Sequence, residues 1–423
     1  LISEYRIDLF DLVTPIARVV DVMSAEVNDH HLRVAYLAFC LAGELDLPEA
    51  ETYDVTLAGA LHDIGAFSLE DRLDLLEFED AHPGEHSIAG YILLRDFQPF
   101  AGMADIIRFH HLHWKNGEGA VEGGVPVPEG SHLIHLADRV AVLVSGGEDI
   151  LEQLPAIREK VSGAGGDIFI PRHVDALLRL SERDHVWTEL VSGDLAEAVR
   201  RSAEGRSTQL DLEQLLEFSK LICRIIDFKS EFTATHSSGV AATAVSLADH
   251  AGFSDHERRL IEISGYLHDL GKLAVPSEIL EKPGDLTDEE WPVMRSHAHF
   301  SYQILDLSGV LDVIKSWGAL HQERLDGSGY PFGYSGDQLS LGTRILAVSD
   351  VFTALTEERP YRAGMQKEKA LDVLKALARN NEIDWGIVTI VEEHFDELNE
   401  VRDAAQTEAV REYREFQQAL HTG

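Results

Sequence analysis

The chain has 423 residues, 44% of them apolar, and carries 36 basic against 74 acidic side chains, a net charge of -38. That length sets an expectation of two to four domains with ample core, and the charge excludes DNA or RNA binding through a broad basic surface. No run of eighteen uncharged apolar residues offers a membrane segment, and two cysteines, Cys40 and Cys223, build no disulfide framework.

Both cysteines sit in apolar helical patterns and are expected as buried free thiols in a reducing cytoplasm. The chain begins at Leu1 without Met and shows no signal peptide, as a fragment of a cytoplasmic protein would. Residues 1 to 28 read as helical from Leu9, Leu12, Val13, Ile16 and Val20. A second amphipathic helix follows from His30-His31. Next come the pair His62-Asp63 with Gly65, then His86, His110-His111 and Asp138. Residues 146 to 207 read as a helical connector, and the glycines at 163 to 166 as a loop, since no strand, helix or Lys frames them as a phosphate cradle. The face Leu212, Leu215, Leu216 and Ile222 opens a second domain. It carries His236, then His268-Asp269-Leu-Gly271-Lys272, a turn at Pro283-Gly284, a helix start capped at Thr287, His297, and His321-Gln322-Glu323 running on to Gly329-Tyr330-Pro331. Asp350 follows, and a charged helix over about 400 to 420 caps the domain, with a homodimer contact as its other reading.

The two halves repeat one pattern. His30 to His62 and His236 to His268 both span 32 residues, and His86 to His110 and His297 to His321 both span 24. His110 to Asp138 spans 28 against 29 for His321 to Asp350. The interval from His62 to His86 is 24 against 29 in the second half, an insertion that falls near Pro283-Gly284. Three matching intervals make a duplication. Any single histidine here, His250, His256 or His299 for instance, reads as a surface or core residue, and His31, His82 and His113 as structural. His132 and His135 stay open. The set as a whole reads as a metal site, because imidazoles with a carboxylate suit first-row ions.

His268-Asp269 with Lys272, His321, Asp326 and the Gly329-Tyr330-Pro331 loop resembles the HD-GYP phosphodiesterases of bacterial cyclic-dinucleotide signalling, over about residues 225 to 400. The resemblance implies an all-α fold, here two tandem HD-type helical domains (1–145 and 208–423) joined by the connector. It implies metal-dependent hydrolysis of cyclic di-GMP or cyclic GMP-AMP to the linear dinucleotide, with diguanylate cyclase domains as protein partners. It assigns His236, His268, Asp269 and Asp350 to one divalent metal, and Asp269, His297 and His321 to another, Fe or Mn by donor type. Two ions about 3.5–4 Å apart neutralise a phosphodiester and supply a nucleophile at neutral pH. Lys272 is implied to contact the scissile phosphate or protonate the leaving oxygen, Arg344, Arg359 and Arg362 to grip the dinucleotide, and Tyr330 and Pro331 to shape the pocket.

The second half departs from the family in carrying Gln322 where a second imidazole is usual, Thr353 for an Asp, and Phe232 for the Glu of a three-metal subgroup. Gln322 supports an alternative in which the chain binds nucleotide without cutting it. The first half shows the converse. Its ligand pattern is complete in His30, His62, Asp63, His86, His110, His111 and Asp138, which implies a second binuclear site. Yet Ala66 replaces the Lys, His132 stands in the place of Arg344, and Val121 to Pro128 is a short loop without Gly-Tyr-Pro.

Overall fold

The computed structural model describes residues 6–21, 29–66, 85–145, 149–202, 208–228, 235–280, 282, 284–306, 311–358 and 363–422. It is all-α. Strands among the described residues are two-residue pieces, such as Val121–Glu122 pairing antiparallel with Val125–Pro126. None of the described helices is long and apolar enough to cross a membrane. The chain divides into two compact units, essentially residues 8–209 and 210–418.

In the first unit the helix His30–Glu44 is apolar nearly all round, with Leu32, Val34, Ala35, Leu37, Ala38 and Leu41 buried. Such a helix must be covered on every side. Glu49–Leu61, Glu129–Leu143, Pro171–Leu180 and Leu195–Ser202 cover it. The connector helices therefore pack within this unit, where Tyr36 Oη donates to Glu189 at 2.7 Å. Glu85–Leu94 and Ala101–Arg108 pack together at another side of the unit.

The second unit is organised the same way around His236–His250, which lies against Asp255–Leu267 and Leu341–Thr356. Val240, Ala244, Leu247, Ile261, Ile345, Val348, Phe352, Leu374, Val391 and Leu398 form its core. Helix starts are set by local polar chemistry. Capping boxes at Asp211/Gln214 and Ser254/Glu257 satisfy the orphan N–H groups of Leu212–Asp227 and Asp255–Leu267. The cap expected at Thr287 is present, its Oγ1 accepting from Glu290 N at 3.3 Å. The last helix is longer than expected, Trp385–Thr422, and is kinked at His394.

Candidate metal centres and active site

Adjacent side chains on a continuous α-helix point about 100° apart, so a His-Asp pair converges on one ion only where the helix opens. Both pairs lie at such an opening. His62 is the C-cap of Glu49–Leu61 and His268 that of Asp255–Leu267, each followed by a tight turn. The sequence places these pairs on helices; the structure places them just past the helix ends. The glycine that follows lets the turn press onto the next ligand-bearing helix. A Cβ at Gly271 would stand 2.0 Å from His297 O, and one at Gly65 would stand 2.2 Å from His86 O. Ser301 fixes the approach in the second unit, accepting from Gly271 N at 2.8 Å and donating to His268 O at 3.0 Å. Gly271→Ala is therefore expected to push His297 away, destabilising the protein by about 1–3 kcal/mol through overpacking; a lower Tm together with reduced metal content checks it.

In the first unit the two oxygens of Asp63 face different imidazoles. Oδ2 lies 3.2 Å from His62 Nε2, while Oδ1 lies 3.4 Å from both His86 Nε2 and His110 Nε2. His30 Nε2 stands 3.3 Å from Asp138 Oδ1, and His111 joins the group around Asp63, His86 and His110. All seven expected residues come together and all are buried.

The second unit repeats the plan. Asp269 Oδ2 faces His268 Nε2 at 3.1 Å and Lys272 Nζ at 2.5 Å, while Oδ1 faces His297 Nε2 at 3.3 Å and His321 Nε2 at 3.7 Å. His236 Nε2 lies 3.0 Å from Asp350 Oδ1. Gln322 turns to that carboxylate, its amide donating to Asp350 Oδ2 at 3.2 Å.

The donor set fits divalent first-row ions. Ring Nδ1 atoms are committed to backbone carbonyls three residues back: His62 to Gly59, His110 to Ile107, His268 to Gly265, His297 to Met294 and His321 to Gly318. This second-layer bonding fixes ring orientation and turns Nε2 inward. The buried Nε2 atoms of His62, His268, His297 and His321 have no hydrogen-bond partner and face carboxylates. Lone pair then meets lone pair unless a cation intervenes. Burial drives the imidazoles of His86 and His321 down to about 4 and about 3, so both are neutral and ready as ligands. Burial would lower His62 too, but Asp63 outweighs it and holds a proton there up to about 9; that proton occupies ground a metal would take. Burial alone would raise Asp63 and Asp269. His62 holds the first, and His268 with Lys272 the second, well below the ordinary carboxylate range.

Around the second centre, Tyr330 stands edge-on to His297, with ring centroids 6.2 Å apart. Glu323, buried, accepts from Phe332 N at 2.7 Å and pins the loop. Arg344 is engaged with the protein: its guanidinium donates to Leu339 O, Gly336 O and Asp384 Oδ2, at 2.8, 2.9 and 3.1 Å. Arg359, Arg362 and Phe232 lie outside the described residues.

Several supporting residues escaped the sequence reading. Glu357 accepts from His236 Nδ1 at 3.1 Å and is itself held by Gln406 Nε2 at 3.1 Å. Its signal was position, two helical turns beyond Asp350. Arg139, buried, clasps Asp138 Oδ2 at 2.7 Å; the one Arg or Lys of an otherwise apolar helix face, next to Asp138, was the clue. Arg295 lies over the Tyr330 ring at 4.5 Å. Asp21 bonds His31, and Asp227 accepts from Ser237 at 3.1 Å. The 206-residue offset between His30 and His236 pairs these two aspartates as well.

Models of the HD domain match residues 27–143 and 220–387. The 3'3'-cGAMP-specific phosphodiesterase 1 of Vibrio cholerae is 29% identical over 402 residues, 92% of this chain and 92% of that protein. The cyclic di-GMP phosphodiesterase response regulator RpfG of Xanthomonas campestris is 40% identical over 159 residues, 37% of this chain and 42% of that one. A solved structure of a cyclic GMP-AMP specific phosphodiesterase of V. cholerae, V-cGAP3, shares the fold, with TM-score 0.62 and 22% identity over 96% of this chain and 98% of that one. The fold and the two His-Asp centres define an HD-domain protein. The chain belongs to that family as a tandem: an HD domain followed by one of the HD-GYP type.

Proposed function

We propose that the second unit is a metal-dependent phosphodiesterase that opens a cyclic dinucleotide, 3'3'-cGAMP or cyclic di-GMP, to the linear form in bacterial second-messenger signalling. The observation that carries this reading is Lys272 on Asp269, the carboxylate that faces three imidazoles, beside the Tyr330 loop. The first unit has the buried Ala66 at the equivalent place. Relatives matching nearly the whole chain bear the cGAMP-specific name, which supports 3'3'-cGAMP as the first substrate to try.

Two divalent ions, Fe or Mn, held by His236, His268, Asp269, His297, His321 and Asp350 would neutralise phosphate oxygens and supply a nucleophile at neutral pH. Asp269 offers one oxygen to each half of the ligand set. Glu357 orients His236. Lys272 places a positive charge against Asp269, where it would face a phosphate held by the ions. Arg359 and Arg362 grip the dinucleotide. Arg344 supports the wall of the pocket through Asp384 and residues 336–339, a positioning role in place of direct grip. The first unit holds a second binuclear centre with Ala66 in place of the Lys after its His-Asp pair, and acts as a structural or regulatory partner. On the Tyr330 loop, Phe332 is 40% exposed and stacks on Tyr334 at 5.2 Å, an aromatic surface for docking a diguanylate cyclase domain.

Turnover of both cyclic dinucleotides by the Mn- or Fe-loaded chain tests the reading; intact substrate with tight binding in calorimetry would establish the non-hydrolytic alternative instead. That alternative rests on Gln322. Its amide nitrogen donates to Asp350, whereas its counterpart His111 joins the metal cluster of the first unit. Gln322→His is expected to raise metal affinity of the second centre by about tenfold, the lower end of what ligand-shell changes produce. Competition against a chelator measures it, and an unchanged affinity would show that position 322 contributes no ligand.

A further inference from the structure

Away from both centres, three side chains of the second unit converge at the surface. His250 ends the helix His236–His250, and His394 and Glu397 lie on Trp385–Thr422. The two imidazoles stack with centroids 3.6 Å apart and planes 20° apart. Glu397 spans them, Oε1 at 3.1 Å from His250 Nε2 and Oε2 at 3.5 Å from His394 Nδ1. One donor atom from each residue fits within 4.8 Å of the others.

Two features require explanation. The first is that both imidazoles present a ring nitrogen to the same carboxylate, one to each of its oxygens. The second feature is the backbone. Kinks arise at Pro, at Gly or Ser, at π-bulges or where a side chain intrudes. The only break inside the 38-residue helix falls at His394, with φ -117° and ψ 20°. No Pro lies in that helix, and its single glycine, Gly386, is two turns away.

We propose that His250, His394 and Glu397 form a binding site for a divalent first-row transition ion of the zinc class. Two imidazoles and one carboxylate, with a fourth position open to water, are a set that zinc accepts. The side chains of His250, His394 and Glu397 are 23%, 37% and 54% exposed, so the ion enters from solvent. The site ties the kink to the end of the helix whose first residue is His236. The same long helix supplies Gln406, which holds Glu357 against His236. Occupancy thus braces one end of the helix whose other end presents His236 to the active centre.

The test is equilibrium dialysis of the full chain, loaded with its centre metals, against micromolar Zn2+, with elemental analysis and thermal melting. Wild type is expected to hold one equivalent more zinc than His394→Ala or His250→Asn, and Glu397→Gln to weaken retention. The zinc-induced rise in Tm should vanish in both histidine variants while their far-UV CD stays unchanged. Equal zinc content in wild type and both variants would overturn the site. If one variant misfolds, the other and Glu397→Gln still decide.

Discussion

Asp269→Ala is expected to lower cyclic-dinucleotide turnover by about 10³-fold or more, because several kcal/mol of charge stabilisation leaves with the ions. Asp63→Ala is expected to leave turnover largely unchanged. The two carboxylates have the same imidazole surroundings: each faces its own His partner through one oxygen and two further imidazoles through the other. Removing either leaves buried imidazoles aimed at nothing, so each variant should lose metal from its own unit. Only the second unit adds Lys272 and the Tyr330 loop to this frame. Metal content and turnover measured side by side separate binding from catalysis. Loss of metal in both variants with loss of activity only in Asp269→Ala supports the assignment. Loss of activity in Asp63→Ala instead would make the complete ligand set the better guide to the active site.

What was legible in the sequence was what chemistry and spacing constrain. The His-Asp pairs, the repeated intervals and the glycine after each pair all reflect contacts that a duplicated frame must preserve, and in each unit the described candidate ligands lie side by side. The local geometry of convergence was less legible. Helical periodicity runs through His62 and His268, yet both close a helix, since only an opened turn lets neighbours face one ion. Supporting contacts across long separations were invisible. Glu357 meets Gln406, and Arg344 meets Asp384, through packing that sequence spacing does not encode. Gln322 could be identified as a departure, but not that its amide would turn toward Asp350. The kink at His394 had no local signal either: no Pro or Gly stands there, and His250 read singly as a surface or core residue.

Lys272→Ala tests the feature that distinguishes the two halves. Burial would strip the Lys272 ammonium of its proton, but Asp269 outweighs that cost, and Asp350 and Asp227 add to it, so its pKa is raised. The ammonium form is therefore favoured in the neutral range. A fixed cation beside Asp269 would act on charge that develops on phosphate oxygens and on the leaving oxygen. Removing one such group lowers kcat by about 10²–10³-fold. Because Lys272 is not a ligand, metal content should hold near wild type, unlike in Asp269→Ala. Lys272→Arg separates charge from proton donation, since guanidinium keeps the charge but does not give up its proton. Partial recovery with arginine assigns Lys272 to charge stabilisation; none, with metal and binding intact, assigns it to protonation of the leaving oxygen. Wild-type kcat in Lys272→Ala would remove it from the chemistry, and with it the strongest reason for placing catalysis in the second unit.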